Sequence, residues 1–167
     1  MAVVFELSVD VMAEQEETLD AVGNLMERGH YLPSRAIAIR ELAPKPYSES
    51  GAFLPGQRVS FLVDGETREH EIVAVQMWDE AEANVREVVR SSAAGETLEW
   101  RLSELTPGTV RITLIYHAEV NPIARIALAR SAKRFWSEAL DRLRVHLEDK
   151  KTFSGPRTWA PKPADQL

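Results

Sequence analysis

Apolar and polar residues alternate through residues 2–10, with Val3, Phe5, Leu7 and Val9 set against Glu6, Ser8 and Asp10. This period of two marks a half-buried strand. Across residues 13–29 the spacing turns helical: Leu19, Val22, Leu25 and Met26 share a side, and Gly23-Asn24 divides the stretch into two short helices. Alternation then returns. Strands are predicted at residues 35–42, 58–63, 68–78, 83–91, 97–105 and 109–120, with turn signals at Asp64-Gly65, Ala94-Gly95 and Pro107-Gly108. The close spacing of these strands implies an antiparallel meander.

Residues 121–151 read as one long amphipathic helix. Asn121 is a suitable N-cap, Pro122 suits the first helical position, and Lys150 and Lys151 suit the negative end of the dipole. Leu128, Ala132, Phe135, Trp136, Ala139, Leu140, Leu143 and Leu147 recur at spacings of three and four and form its apolar stripe. Such a helix is roughly 45 Å long, too long for a small domain to surround, so it must lie across the sheet and fill its concave face. That arrangement leaves room for a pocket. The irregular stretch 43–56, with Tyr47, Phe53 and Leu54 among its prolines and glycines, is of a length usually tied to function, and it is expected to gate the pocket mouth. One domain over residues 1–151 is expected, followed by a proline-rich tail, 152–167, that carries Trp159 and does not continue the helix.

Composition narrows the function classes. A net charge of −6 supplies no positive field for phosphates, so no nucleic-acid partner is expected. No stretch approaches the ~20 apolar residues of a membrane span, and a cytoplasmic protein is expected. The absence of cysteine removes disulfides, thiolate chemistry and sulfur-based zinc sites. Neither a G-x-S-x-G elbow, a Walker loop nor a G-x-G-x-x-G fingerprint is present, and no cofactor is expected. His117 and Glu119 are two apart in a strand, but a third metal ligand is missing and parity turns His117 away from Tyr116 toward solvent, so no metal site is expected.

The opening strand, the segment Asn24-Leu25-Met26-Glu27-Arg28-Gly29-His30-Tyr31-Leu32-Pro33, the Pro55-Gly56 entry into the third strand, the strings Trp100-Arg101-Leu102 and Gly108-Thr109-Val110-Arg111-Ile112-Thr113, and the closing helix follow one another in a distinctive order. Together they resemble the START and polyketide-cyclase superfamily (SRPBCC). The resemblance implies an α+β helix-grip fold, in which a seven-stranded curved antiparallel sheet wraps a long C-terminal helix and two short helices follow the first strand. It also implies a cavity under that helix, used across the superfamily for lipids, sterols, quinones or polyketides.

Strand parity and the helical stripe then nominate Ile37, Ile39, Phe61, Glu87, Trp100, Leu114, Tyr116, Phe135, Trp136 and Leu140 as cavity residues. Among them Glu87 and Tyr116 are polar, so each either orients a ligand or has an internal hydrogen-bond partner. Gln76 is a further polar candidate, and His30, in the turn after the short helices, could act as an acid or base at the cavity entrance. The first functional reading is a protein that binds a hydrophobic or aromatic small molecule, as a monomer or a homodimer. A polyketide cyclase or aromatase-dehydratase is the second, and a co-chaperone-like interaction protein using its basic helix face or acidic helical segment is the third.

Overall fold

The computed structural model describes residues 2–46 and 54–153, with side chains through 149. Tyr47, Phe53 and the tail from residue 154, including Trp159, therefore lie outside the described residues. The elements in chain order are β1 (Ala2–Val11), α1 (Gln15–Gly23), a 3-10 helix (Leu25–His30), β2 (Ala36–Ala43), β3 (Arg58–Val63), β4 (Glu66–Asp79), β5 (Glu82–Val89), β6 (Thr97–Thr106), β7 (Thr109–Ala118) and α2 (Pro122–Phe153). All the strands join one antiparallel sheet in the order β1-β7-β6-β5-β4-β3-β2. The sheet is curved and open, and with α2 it forms the α+β helix-grip fold.

Local chemistry places the turns. Asp64 and Gly65 both have positive φ, 52° and 83°, as a two-residue hairpin loop that follows the twist of its strands requires. After β4, the side chain of Asp79 accepts hydrogen bonds from the backbone of Ala81 and Glu82 at 2.7 and 3.0 Å and so bends the chain into β5. At the start of α2, Asn121 Oδ1 accepts from the backbone N–H of Ala124 at 2.8 Å, the cap expected of asparagine one residue before the helix.

Packing follows alternation. Phe5, Val59, Phe61, Ile72, Val85, Leu98, Trp100, Leu102, Ile112, Leu114 and Tyr116 are buried from the sheet side, and Phe135, Trp136, Ala139, Leu140, Leu143 and Leu147 from α2. Burying a large apolar side chain contributes about 1.5–3 kcal/mol, so this stripe, rather than helix propensity, holds α2 on the sheet. Among the described residues no helix is long and apolar enough to cross a membrane.

One strand breaks the expected pattern. β2 pairs Ile37 with Leu62 but Arg40 with Ser60, so it carries one residue more than β3 over the same span, and Ala38 within it has φ 58°. This bulge reverses the alternation. Ile37, expected inside, is 56% exposed, whereas Ile39 packs against the core with its Cδ1 beside Gly29 of the 3-10 helix. Gln76 is likewise on the surface, because a register shift between Ile72 and Ala74 resets the faces of β4.

Candidate functional site

A pocket of about 240 Å³ opens between the β3–β4 side of the sheet and the N-terminal half of α2. Its apolar wall is Phe61 and Val63 from β3 with Leu128, Ala132, Phe135 and Trp136 from α2. Facing it are Arg68 of β4, Glu96 just before β6, and Tyr116 of β7, while Arg35, Asp64, Glu66 and Ser131 complete the lining.

Strand register sets this arrangement. Phe61 lies opposite Arg68, and Leu98 opposite Tyr116, so within each pair the side chains share one face of the sheet. The ring of Tyr116 stacks on Phe5 at 4.8 Å, which fixes its orientation. Its hydroxyl donates to Oε1 of Glu96, and Arg68 Nη2 donates to the same oxygen at 3.3 Å, while Ser92 donates to Oε2. At the outer rim Arg35 lies 5.3 Å from the Phe135 ring and 3.7 Å from Asp64. The pocket thus combines aromatic faces with a hydrogen-bonded polar edge, the composition typical of small-molecule sites.

Beside the pocket lies a buried charge cluster. Glu87, with no exposed side-chain surface, accepts at Oε1 from Arg28 Nη2 (2.6 Å) and Trp100 Nε1 (2.7 Å), and at Oε2 from Arg28 Nη1 (3.1 Å) and His70 Nδ1 (2.6 Å). Arg28 comes from the 3-10 helix, also donates to Val22 O at 3.0 Å, and sits 4.9 Å from the Trp100 ring. Tyr31, next to it, donates its hydroxyl to Ala21 O at 2.9 Å.

Burial alone would raise the Glu87 carboxyl, but the Arg28 charge and the hydrogen bond from His70 outweigh it and hold the group well below the usual carboxylate range. Burial likewise pushes His70 down, against the opposing pull of Glu87, so the imidazole is neutral at pH 7. Burial also pushes the Tyr31 phenol up and keeps it protonated. A carboxylate only accepts hydrogen bonds, so His70 carries its proton on Nδ1. Its Nε2 is then a lone pair, and this buried atom has no hydrogen-bond partner among the described residues.

Of the residues nominated from sequence, Phe61, Tyr116, Phe135 and Trp136 line the pocket. Trp100, Leu114 and Leu140 are buried in the core around it, and Ile39 packs at the core's edge. Glu87 takes the internal alternative, since protein donors occupy both of its oxygens. His30 is not at the pocket: it is exposed, stacks on His146 of α2 at 4.9 Å, and lines a separate open groove. Leu54 is exposed and does not line the pocket either. Periodicity and motifs assign no role to Arg28, His70, Arg68 or Glu96. A signal existed, because His70 and Arg68 share the parity of Ile72, but the irregular β4 offered no clean face on which to read it.

No protein-family model matches the sequence, and no curated protein is significantly similar to it. Solved structures are. The di-domain ARO/CYC protein BexL from the BE-7585A biosynthetic pathway superposes with a TM-score of 0.65 at 14% identity, covering 93% of this chain and 48% of that one. StfQ, a di-domain ARO/CYC protein from the steffimycin biosynthetic pathway, gives 0.60 at 12% identity over 89% of this chain and 46% of that one. A START superfamily protein from Mycobacterium smegmatis gives 0.57 at 15% identity over 87% and 97%. The chain spans about half the length of each di-domain protein. At such identities the likeness is one of fold, and that fold is the START-like helix grip.

Proposed function

We propose that the protein binds a small, mainly apolar aromatic molecule in the pocket under α2. The observation that carries this reading is the pairing of Phe61, Phe135 and Trp136 with a hydrogen-bonded polar edge of Arg68, Glu96 and Tyr116 around one cavity. At about 240 Å³ the space lies below the roughly 300–1,000 Å³ of common ligand pockets. It suits one or two rings, such as a quinone head or part of a polyketide, better than a whole lipid. Native mass spectrometry of protein purified from its own cells tests this. A retained small molecule is expected, and Ala132→Phe, which fills the pocket from α2, should abolish retention while leaving the fold intact. A protein that is always empty would count against the reading.

Cyclisation or dehydration of the bound molecule is the second reading. The Tyr116 hydroxyl and Arg68 at the pocket edge favour it, as does the likeness of fold to the two ARO/CYC proteins. In the same experiment it would be carried by an adduct that loses the mass of one water while on the protein.

A further inference from the structure

We propose that His70 is a ligand-binding residue, whose Nε2 accepts a hydrogen bond from a hydroxyl of the bound molecule, so that the ligand class is a hydroxylated aromatic such as a phenol or enol. The inference rests on the ligand-binding reading of the pocket and specifies its ligand. Three observations support it.

First, the Nδ1 bond to Glu87 at 2.6 Å assigns the tautomer and leaves Nε2, on the far side of the ring, as an acceptor. A neutral buried acceptor with no partner is costly, and native interiors rarely leave one without a use. Second, the His70 ring packs against Phe61 at 5.1 Å and near Trp136 at 6.3 Å, and both of those side chains are pocket walls. Arg68, two residues earlier on the same face of β4, already lines the pocket. His70 itself has no exposed surface and does not line the pocket, so a ligand reaches its Nε2 when Phe61 or Trp136 changes rotamer, a kind of side-chain change that is common on binding.

Third, three polar side chains of the pocket already donate within the protein: Tyr116 and Arg68 to Glu96, and Ser131 to the backbone oxygens of Ala127 and Leu128. Burial keeps His70 uncharged at pH 7, the state that accepts rather than donates at Nε2. The ionised Glu87 behind it increases the electron density of the ring and strengthens that acceptance. The requirement is for a neutral donor, which a hydroxyl supplies and a bare hydrocarbon or ketone does not.

Titrating the full chain with 1-naphthol and with naphthalene, followed by NMR shifts of the Trp100 and Trp136 indoles, separates the claims. Both probes should bind, with the naphthol roughly three- to tenfold tighter, the gain expected of one net hydrogen bond. His70→Asn keeps a donor toward Glu87 but deletes the Nε2 acceptor, and it should bring the two affinities together. Naphthalene binding without any preference for the naphthol, or a preference that survives His70→Asn, overturns the role of His70 and leaves the pocket reading standing. Failure of both probes to bind overturns the two together. Should His70→Asn not fold, the imidazole ¹⁵N spectrum of the wild type decides: the Nε2 resonance moves upfield with 1-naphthol and not with naphthalene, and an unmoved resonance overturns the proposal.

Discussion

The carboxylate of Glu87 serves the guanidinium of Arg28, the imidazole of His70 and the indole N–H of Trp100 at once, and none of these groups reaches solvent appreciably. Removing it strands a buried cation. Breaking a buried ion pair from one side costs about 3–5 kcal/mol, because the remaining charge is desolvated without compensation. Glu87→Leu is accordingly expected to lower the unfolding free energy by about that amount in urea titrations. Asp10 and Arg111 pair on the surface at 2.8 Å, and Asp10→Asn should leave the urea midpoint close to that of the wild type, since solvent screens such pairs. A loss below about 1 kcal/mol for Glu87→Leu would mean that water reaches Arg28 once the carboxylate is gone.

Among the elements, β2 shows how one residue redirects a strand. Ala38 holds a left-handed backbone that costs an L-residue about 1–2 kcal/mol, and glycine adopts it freely. Ala38→Gly should therefore raise stability by up to about 1 kcal/mol, although glycine ordinarily weakens a strand. Ala38→Val should do the opposite. Chemical denaturation of the two variants checks this, and a destabilised Ala38→Gly would show that the bulge is not the relaxed form of β2. The bulge also explains why Ile37 and Ile39, which share a parity, ended on different faces. No residue at this position announces it, since the extra residue is an alanine rather than a glycine or asparagine.

At the scale of the whole molecule, the closing of α2 over the sheet makes the interior sensitive to pH. His70 faces Glu87, with Arg28 and Arg68 as the nearby cations, and Glu87 faces Arg28 and His70. Both groups bind a proton less readily folded than unfolded, so between the two states' values the unfolded chain holds more protons and stability rises with pH. The contribution of His70 is complete above its ordinary value of 6.5 and is lost as pH falls from there through the folded value. The contribution of Glu87 is complete above 4.5 and is lost only in stronger acid. Urea midpoints measured from pH 8 downward should begin to fall below about 6.5. In His70→Asn the decline above the Glu87 range should shrink, and an identical profile in that variant would refute the assignment.

Much of this architecture is written locally. Alternation in β1, β3, β6 and β7, the Asp64-Gly65 turn, the Asn121 cap and the spaced apolar stripe of α2 each depend on residues a few positions apart, so the chain alone determined the element order, the antiparallel meander and the closing helix. The same patterns brought Phe61, Tyr116, Phe135 and Trp136 to the pocket wall. What tertiary structure alone decided is which polar groups meet. Arg28 and Glu87 are 59 positions apart, and Tyr116 and Glu96 are 20 apart; their contacts depend on register, bulges and the docking of a 3-10 helix, none of which has a local signature. Periodicity reports which face a residue occupies, whereas a hydrogen bond needs a partner within about 3 Å, and only the folded chain supplies that distance.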